Sequence, residues 1–236
     1  MKKTIVVTGA SSGIGRSLAE MLHPQHKVIG LSRAIENANV EFESINVDLT
    51  VKEEVEKTFQ KIYKKFGKID VLVNNAGAGL IKVIKDTKEE DWQKMIDVNA
   101  KSAFLTTKEI VKNKKEQDFV HIINVGSEAA IEGFATYSAY CAGKFALRGF
   151  SQAAKHELEK ENIKVEMIHP GDVMTPFMEK CPIDKELMDY YDIEVLDDKY
   201  MLRAQDVAKV INFMIEQNPN IILGEVDIIP TDTYKK

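Results

Sequence analysis

Tyr140 and Lys144 stand four residues apart in the stretch YSAYCAGK, Tyr137 to Lys144. On an α-helix, residues four apart face one another, whereas residues seven apart are separated by about 10.5 Å along the axis. Tyr140 is therefore the phenol that shares a face with the Lys144 ammonium, and Tyr137 faces Cys141 instead. A phenol with a reference pKa near 10 is a poor base at neutral pH unless its phenolate is stabilised. A cation about 5 Å away, at an effective dielectric near 20, supplies roughly 3 kcal/mol, or about 2 pKa units. That places Tyr140 in a range useful for exchanging a proton with an alcohol oxygen. The competing reading of the pair is an exposed polar helix face. Cys141 reads as a small space-filling thiol.

The second constellation is TGASSGIG, Thr8 to Gly15. Gly9, Gly13 and Gly15 lie between a β-branched run and a helical pattern, where absent side chains let backbone amides and a helix N-terminus approach a pyrophosphate. Ser11, Ser12 and Ile14 belong to the same candidate cradle. The spacing departs from G-x-G-x-x-G, but its position directly after a strand favours a dinucleotide site over a structural turn. Folds of this kind that bind NAD place an acid at the end of the second strand, on the ribose 2′-hydroxyl. This chain offers Ser32 and Arg33 there, and a guanidinium matches a 2′-phosphate in charge and geometry. The expectation is NADP(H) rather than NAD(H); the alternative is a surface arginine paired with Glu36.

These groups need a scaffold. KTIVVTGA, KVIGLS and ESINVDL read as strands, followed by DVLVNNAG, FVHIINVGS, IKVEMIH and a last strand at 226–229. Helical patterns fall between them: Ile14, Leu18 and Leu22; then Val51, Val55, Phe59, Ile62 and Phe66; then a long helix from Tyr137 to about Lys160. Thr50 with Glu53, and Thr87 with Glu90, have capping-box spacing. Strands alternating with helices predict an α/β fold, a doubly wound parallel sheet of about seven strands with helices on both faces. Ser127 then falls at a carboxyl edge, where ligands of parallel sheets bind. Asn99 falls on a helix, where an amide has low preference.

With 44% apolar and 29% charged residues, the chain has the make-up of a globular protein with a real core. No repeat or linker interrupts it, so residues 1–236 read as one domain with an insertion at about 176–200. A net charge of −5 argues against nucleic acid as a partner. The apolar run in MKKTIVVTGA is shorter than a secretory core requires, and nothing approaches the ~18 apolar residues of a membrane span. Two cysteines do not make a disulfide framework, which points to the cytoplasm. No metal-binding pattern stands out.

Taken together, TGASSGIG, NVDLT, NNAG, Asn99, Ser127, YCAGK and PGDVMT make the chain resemble the compact, single-domain branch of the short-chain dehydrogenase/reductase family, over almost its whole length. The resemblance implies hydride transfer between a nicotinamide and a carbonyl or secondary alcohol of a small substrate. It implies Tyr140 as acid/base, Lys144 lowering its pKa and holding the nicotinamide ribose, Ser127 orienting the carbonyl, and Asn99 supporting a proton-relay water. Asp48 and Leu49 would border the adenine, Asn75, Ala76 and Gly77 would back the cofactor, and Pro170, Gly171, Val173 and Thr175 would lie along its nicotinamide side. Two positions depart from the pattern: His169 stands where the family commonly has Asn, and Glu128 follows Ser127 where a second small polar residue is common.

The segment after PGDVMT supplies Phe177, Met178, Leu187, Met188, Tyr190 and Tyr191 as pocket or packing residues. The ending GEVDIIPTDT looks like the branch of 3-hydroxy acid dehydrogenases and carbonyl reductases more than the acyl-carrier reductases. Family members are mostly homodimers or homotetramers, and Ala139, Ala142, Ala146 and Ala153 would permit close helix contacts. A sugar-nucleotide epimerase would need a larger C-terminal region. A noncatalytic NADP-sensing protein would not need Asn99, Ser127, Tyr140 and Lys144 together.

Overall fold

The computed structural model describes residues 2–33, 35, 39–179, 181, 187, 190–191 and 200–231. In chain order the elements are β1 (Thr4–Thr8), α1 (Gly13–Leu22), β2 (Lys27–Ser32), β3 (Glu43–Asn46), α2 (Lys52–Phe66), β4 (Val71–Asn74), α3 (Glu89–Ile96), α4 (Ser102–Asn113), β5 (Val120–Val125) and α5 (Ser138–Leu158). There follow β6 (Ile163–Pro170), β7 (Val173–Met174), α6 (Pro176–Glu179), β8 (Leu202–Arg203), α7 (Ala204–Glu216) and β9 (Glu225–Ile228). Seven strands form one sheet in the order β3-β2-β1-β4-β5-β6-β9, and every pairing is parallel. Chain direction across the sheet reverses between β1 and β4, the crevice where such folds bind ligands.

Alternation along each strand divides the core. Ile5, Val7, Val71 and Val73 point to the face covered by α1 and α7. Val6, Leu72 and Ile122 point to the face covered by α2, α4 and α5. Strands β1, β4 and β5 are buried along their whole length, as expected of a parallel sheet covered on both sides. Helix α2 buries Val55, Phe59 and Ile62 at helical spacing, carries Glu53 and Glu54 in its first turn and Lys64 and Lys65 in its last, and stops at Gly67 with φ +81°. Those charges oppose the helix dipole at both ends.

Both helix starts differ from the expected capping boxes. Thr50 turns back, giving its hydroxyl and its N–H to the Asp48 carboxylate, so Val51 becomes the N-cap and α2 begins one residue later. The Thr87 hydroxyl donates to the Val83 carbonyl, and Asp91, one position after Glu90, receives the Lys88 N–H. Local hydrogen bonding of short polar side chains competes with capping, and here it won at both positions. Strand β3 also ends at Asn46, earlier than the apolar pattern suggests. The parallel pair β7–β8 joins the two ends of the 176–200 segment. Within 184–191, where the sequence suggests a short helix, Leu187 and Tyr190 are helical and the Tyr191 N–H donates to the Leu187 carbonyl at 3.1 Å; the side chains of Met178 and Met188 lie outside the described residues.

Candidate active site

The glycine turn leaves β1 through Gly9, at φ +68°, and enters α1 through Gly13, at φ +57°. These left-handed conformations strain any residue with a Cβ. A Cβ on Gly9 would lie 2.8 Å from Asn75 Nδ2, and one on Gly13 would lie 3.3 Å from the Thr175 methyl. Asn75 closes the turn by donating its amide to the Thr8 carbonyl at 2.9 Å. The Thr8 hydroxyl accepts the Asn75 and Ala76 N–H groups at 2.9 Å each. Thr8 thus organises the cradle, a role that its place in a β-branched run did not signal.

Helix α1 carries no acidic residue in its first turn, and Ser12 at its N-cap makes no side-chain cap. Its positive end therefore faces the turn without an internal counter-charge, which fits a pyrophosphate. Ser11 and Ser32 share a hydrogen bond at 2.9 Å, and Ile14 packs against the core beneath. Arg33 is exposed and, among the described residues, makes no hydrogen bond or ion pair. Glu36, its alternative partner, lies outside the described residues. Asp48 sits further along the same rim, its backbone N–H held by Glu54 at 2.8 Å. Burial pushes the Asp48 carboxyl up, but hydrogen bonds from Thr50 and the Arg33 charge outweigh it and hold the group below its usual range. Leu49 is buried beside it.

Between the cradle and the catalytic helix stands Gly77. A Cβ there would lie 3.0 Å from Asn99 Oδ1, which would have to give way, and 3.6 Å from Lys144 Nζ, in ordinary contact. Asn99 lies in a π-helical turn, Asp97–Lys101, inserted between α3 and α4. Such turns commonly mark functional sites. This one directs the Asn99 amide inward, where it donates to the Ala78 carbonyl at 2.8 Å and the Met95 carbonyl at 3.0 Å, and accepts the Ala78 N–H at 3.3 Å.

Tyr140 and Lys144 lie on the buried face of α5, 8% and 4% exposed. The Tyr140 ring is enclosed by Tyr137 and Phe177, with ring centroids 6.2 and 5.9 Å away. Ser127 lies just past β5, where its hydroxyl oxygen accepts the Ala129 N–H at 3.2 Å and caps a short turn. The same hydroxyl works to lower the Tyr140 pKa.

One expectation is corrected here. Lys144 Nζ lies 5.9 Å from the Tyr140 ring centroid and donates to the Val125 carbonyl at 3.0 Å. Burial dominates both groups: it pushes the phenol above its ordinary range, offset only partly by Ser127, and pulls the ammonium down to about 8. The helical spacing placed the pair on one face, but the desolvation of a fully enclosed phenol outweighs the one influence that lowers its pKa, the Ser127 hydroxyl. The same burial lifts Tyr137 to about 12.

Pro170 and Gly171 close β6, and the Gly171 N–H reaches the Ile228 carbonyl at 2.9 Å. Val173 opens β7, and Thr175 stands over Gly13. The anticipated residues therefore converge along one rim, the carboxyl ends of β1, β2, β4, β5 and β6. Beneath that rim Asn74, Thr106, Asn124 and Ser151 form a buried hydrogen-bond network across β4, α4, β5 and α5. Among the described residues no cluster of His, Cys, Asp and Glu is arranged to hold a metal, and no helix is long and apolar enough to cross a membrane.

The family model for short chain dehydrogenases matches residues 3–186. The chain is 31% identical to the 3-oxoacyl-acyl-carrier-protein reductase FabG of Buchnera aphidicola, across 95% of this chain and 94% of that protein. It is 30% identical to an L-2,3-butanediol dehydrogenase of Corynebacterium glutamicum, across 97% of both. Among solved structures it is similar to ElxO with NADP bound, at 28% identity and a TM-score of 0.82, covering 97% of this chain and 98% of that one.

Proposed function

Since this chain belongs to the short-chain dehydrogenase family, a family of oxidoreductases, we propose that it is an NADP(H)-dependent enzyme interconverting a carbonyl and a secondary alcohol in a small substrate. The observation that carries this reading is the buried Tyr140 phenol beside Lys144, with the Ser127 hydroxyl favouring its phenolate, at the edge of a glycine cradle. Bound nicotinamide supplies the hydride. The protein's share is proton management. Ser127, oriented by the Ala129 N–H, holds the substrate oxygen next to Tyr140. Tyr140 donates its proton as the carbonyl becomes an alcohol, and accepts one in the reverse direction. The high phenol pKa keeps Tyr140 protonated, which suits reduction, and the Ser127 hydroxyl favours the phenolate that donation leaves. Asn99 serves by fixing the Ala78 and Met95 carbonyls against this centre.

Gly9, Gly13, Gly15, Ser11, Ser12 and Ile14 would hold the pyrophosphate. Ser32 and Arg33 would take the 2′-phosphate, and Asp48, Leu49 and Asn75–Gly77 would flank the adenosine half. Pro170, Gly171, Val173 and Thr175 would line the nicotinamide side. Cytoplasmic residence and assembly into dimers or tetramers belong to the same reading. Ala146 and Ala153 are exposed on α5 and suit such contacts, whereas Ala139 is buried within the subunit.

Mixing the purified protein with NADPH, or with NADH, and a panel of small ketones and aldehydes tests this, with nicotinamide absorbance as the readout. Turnover with a preference for NADPH is expected. Cofactor binding without turnover on a broad panel would favour a nucleotide sensor.

A further inference from the structure

His169 is fully buried on β6, one residue before Pro170. Its Nδ1 lies 3.3 Å from the Ser127 carbonyl oxygen, and its Nε2 lies 3.2 Å from the Glu225 carboxylate on β9. Both neighbours are acceptors. The Glu225 carboxyl is held below its usual range: burial raises it, but hydrogen bonding from Gln152, the Arg148 charge and His169 itself outweigh that. A carboxylate has no proton to give and neither has a backbone carbonyl, so both contacts are hydrogen bonds only when both ring nitrogens carry protons. Glu225 is also the anchor for α5, accepting from Arg148 Nε at 2.9 Å and Gln152 Nε2 at 2.7 Å. The ring is packed against Gly126, where a Cβ would fall 2.5 Å from Nδ1, so only glycine leaves room for it beside the backbone that leads into Ser127.

We propose that His169 is a positioning residue for the catalytic centre: as a double donor it ties the backbone of Ser127 to the carboxylate that also anchors the helix bearing Tyr140 and Lys144. The proposal rests on the oxidoreductase reading for its catalytic consequence. The tie depends on pH. When the ring loses a proton, one bond must go, and the charge-assisted bond to Glu225 is the stronger of the two. The neutral ring therefore keeps Glu225 and releases the Ser127 carbonyl. The charged groups at the ring and its contacts are Glu225, Asp227, which pairs with His169 across β6 and β9, and Arg148 from α5, which shares the Glu225 carboxylate.

The experiment has two arms. In protein labelled with 15N in its histidine rings, both His169 nitrogens should be protonated at the acid end of the ring's titration, and the Ser127 13C carbonyl shift should move with loss of the Nδ1 proton. A lone pair on Nδ1 throughout, or a Ser127 carbonyl indifferent to the ring's titration, would overturn the proposal. In the kinetic arm, wild-type kcat should fall about tenfold through that titration, short of the ~10²-fold that a full ångström of misplacement can cause, with KM for NADPH unchanged. His169→Asn, a donor that does not titrate, should lose this step. His169→Phe should give the low kcat at every pH. Wild-type kinetics in both variants would also overturn the proposal. If His169→Phe does not fold, the spectroscopic arm decides. A protein that turns over no carbonyl but shows the coupled His169 and Ser127 titration sinks the function proposed above and leaves the hydrogen-bond tie standing.

Discussion

The Ser127 hydroxyl favours the Tyr140 phenolate although one residue follows the end of β5 and the other sits in the first turns of α5. The pair defines the point where a substrate oxygen would meet both hydroxyls. Tyr140→Phe removes the transferable proton and leaves the ring packed between Tyr137 and Phe177. Turnover should fall by roughly 10²- to 10⁴-fold, the usual worth of a positioned acid or base. NADPH affinity should change little, as read by fluorescence titration. Retained turnover would remove Tyr140 from the mechanism.

Lys144 makes stability depend on pH in a definite direction. Its folded pKa of about 8 lies below the value near 10.4 of an unfolded lysine. Between those values the unfolded chain binds more protons, so folding stability rises with pH across that window, by about 3 kcal/mol at most. Below pH 8 the charge is buried at full penalty. Urea midpoints of nucleotide-free protein should rise from pH 8 to 10, and Lys144→Met should lack that rise. Equal slopes in the two proteins would place the lysine in solvent.

Much of this site was legible because its signals are local. Glycines at Gly9 and Gly13 announce backbone that other residues cannot adopt, and the spacing of Tyr140 and Lys144 fixes their common face. The alternation of Ile5, Val6 and Val7 gives a strand buried on both sides. What was not legible depends on partners distant in the chain. Nothing near Lys144 says that its ammonium meets the Val125 carbonyl, and nothing near Thr8 says that its hydroxyl gathers the Asn75 and Ala76 amides. The helix starts at Lys52 and Glu89 were misplaced because Thr50 and Thr87 bond locally, a choice made by geometry that composition does not carry.

Arg33 tests cofactor choice. It is exposed at the end of β2, without a hydrogen-bond partner among the described residues, and its charge reaches Asp48. Arg33→Asp should weaken NADPH binding roughly 10- to 100-fold, the equivalent of losing hydrogen bonds to a charged group worth ~1.5–3 kcal/mol. NADH binding should hold or improve. Unchanged NADPH affinity would assign the 2′-phosphate to another group.

Asn99 is 1% exposed and holds both backbone groups of Ala78 as well as the Met95 carbonyl. Asn99→Ala strands those groups away from water, so it should lower stability by about 1–3 kcal/mol. Asn99 and Lys144 both border Gly77, so turnover should fall too. Asn99→Asp keeps the acceptor for the Ala78 N–H but replaces the donor with a buried charge, and should be the worse of the two in chemical denaturation.

Thr136 directly precedes the residue that caps the catalytic helix, and its backbone sits at φ +67°. For a β-branched side chain that conformation is strained by about 1–3 kcal/mol. Its hydroxyl is buried without a hydrogen-bond partner, an added penalty, while its carbonyl accepts the Lys82 N–H at 2.8 Å. Thr136→Gly relieves the strain and deletes the stranded hydroxyl, against ~0.5–1 kcal/mol for the flexibility glycine brings. Thr136→Asn relieves part of the strain without that flexibility, because Asn tolerates left-handed backbone. Both substitutions should therefore raise stability, by about 1 kcal/mol, or ~2–4 °C in Tm for a domain of this size. Their effects on turnover separate strain from use. If Thr136→Gly is more stable and equally active, the strain is incidental to the turn that starts α5. If it is more stable but slower, the strained turn is what sets Tyr137 and Tyr140 at the mouth of the site.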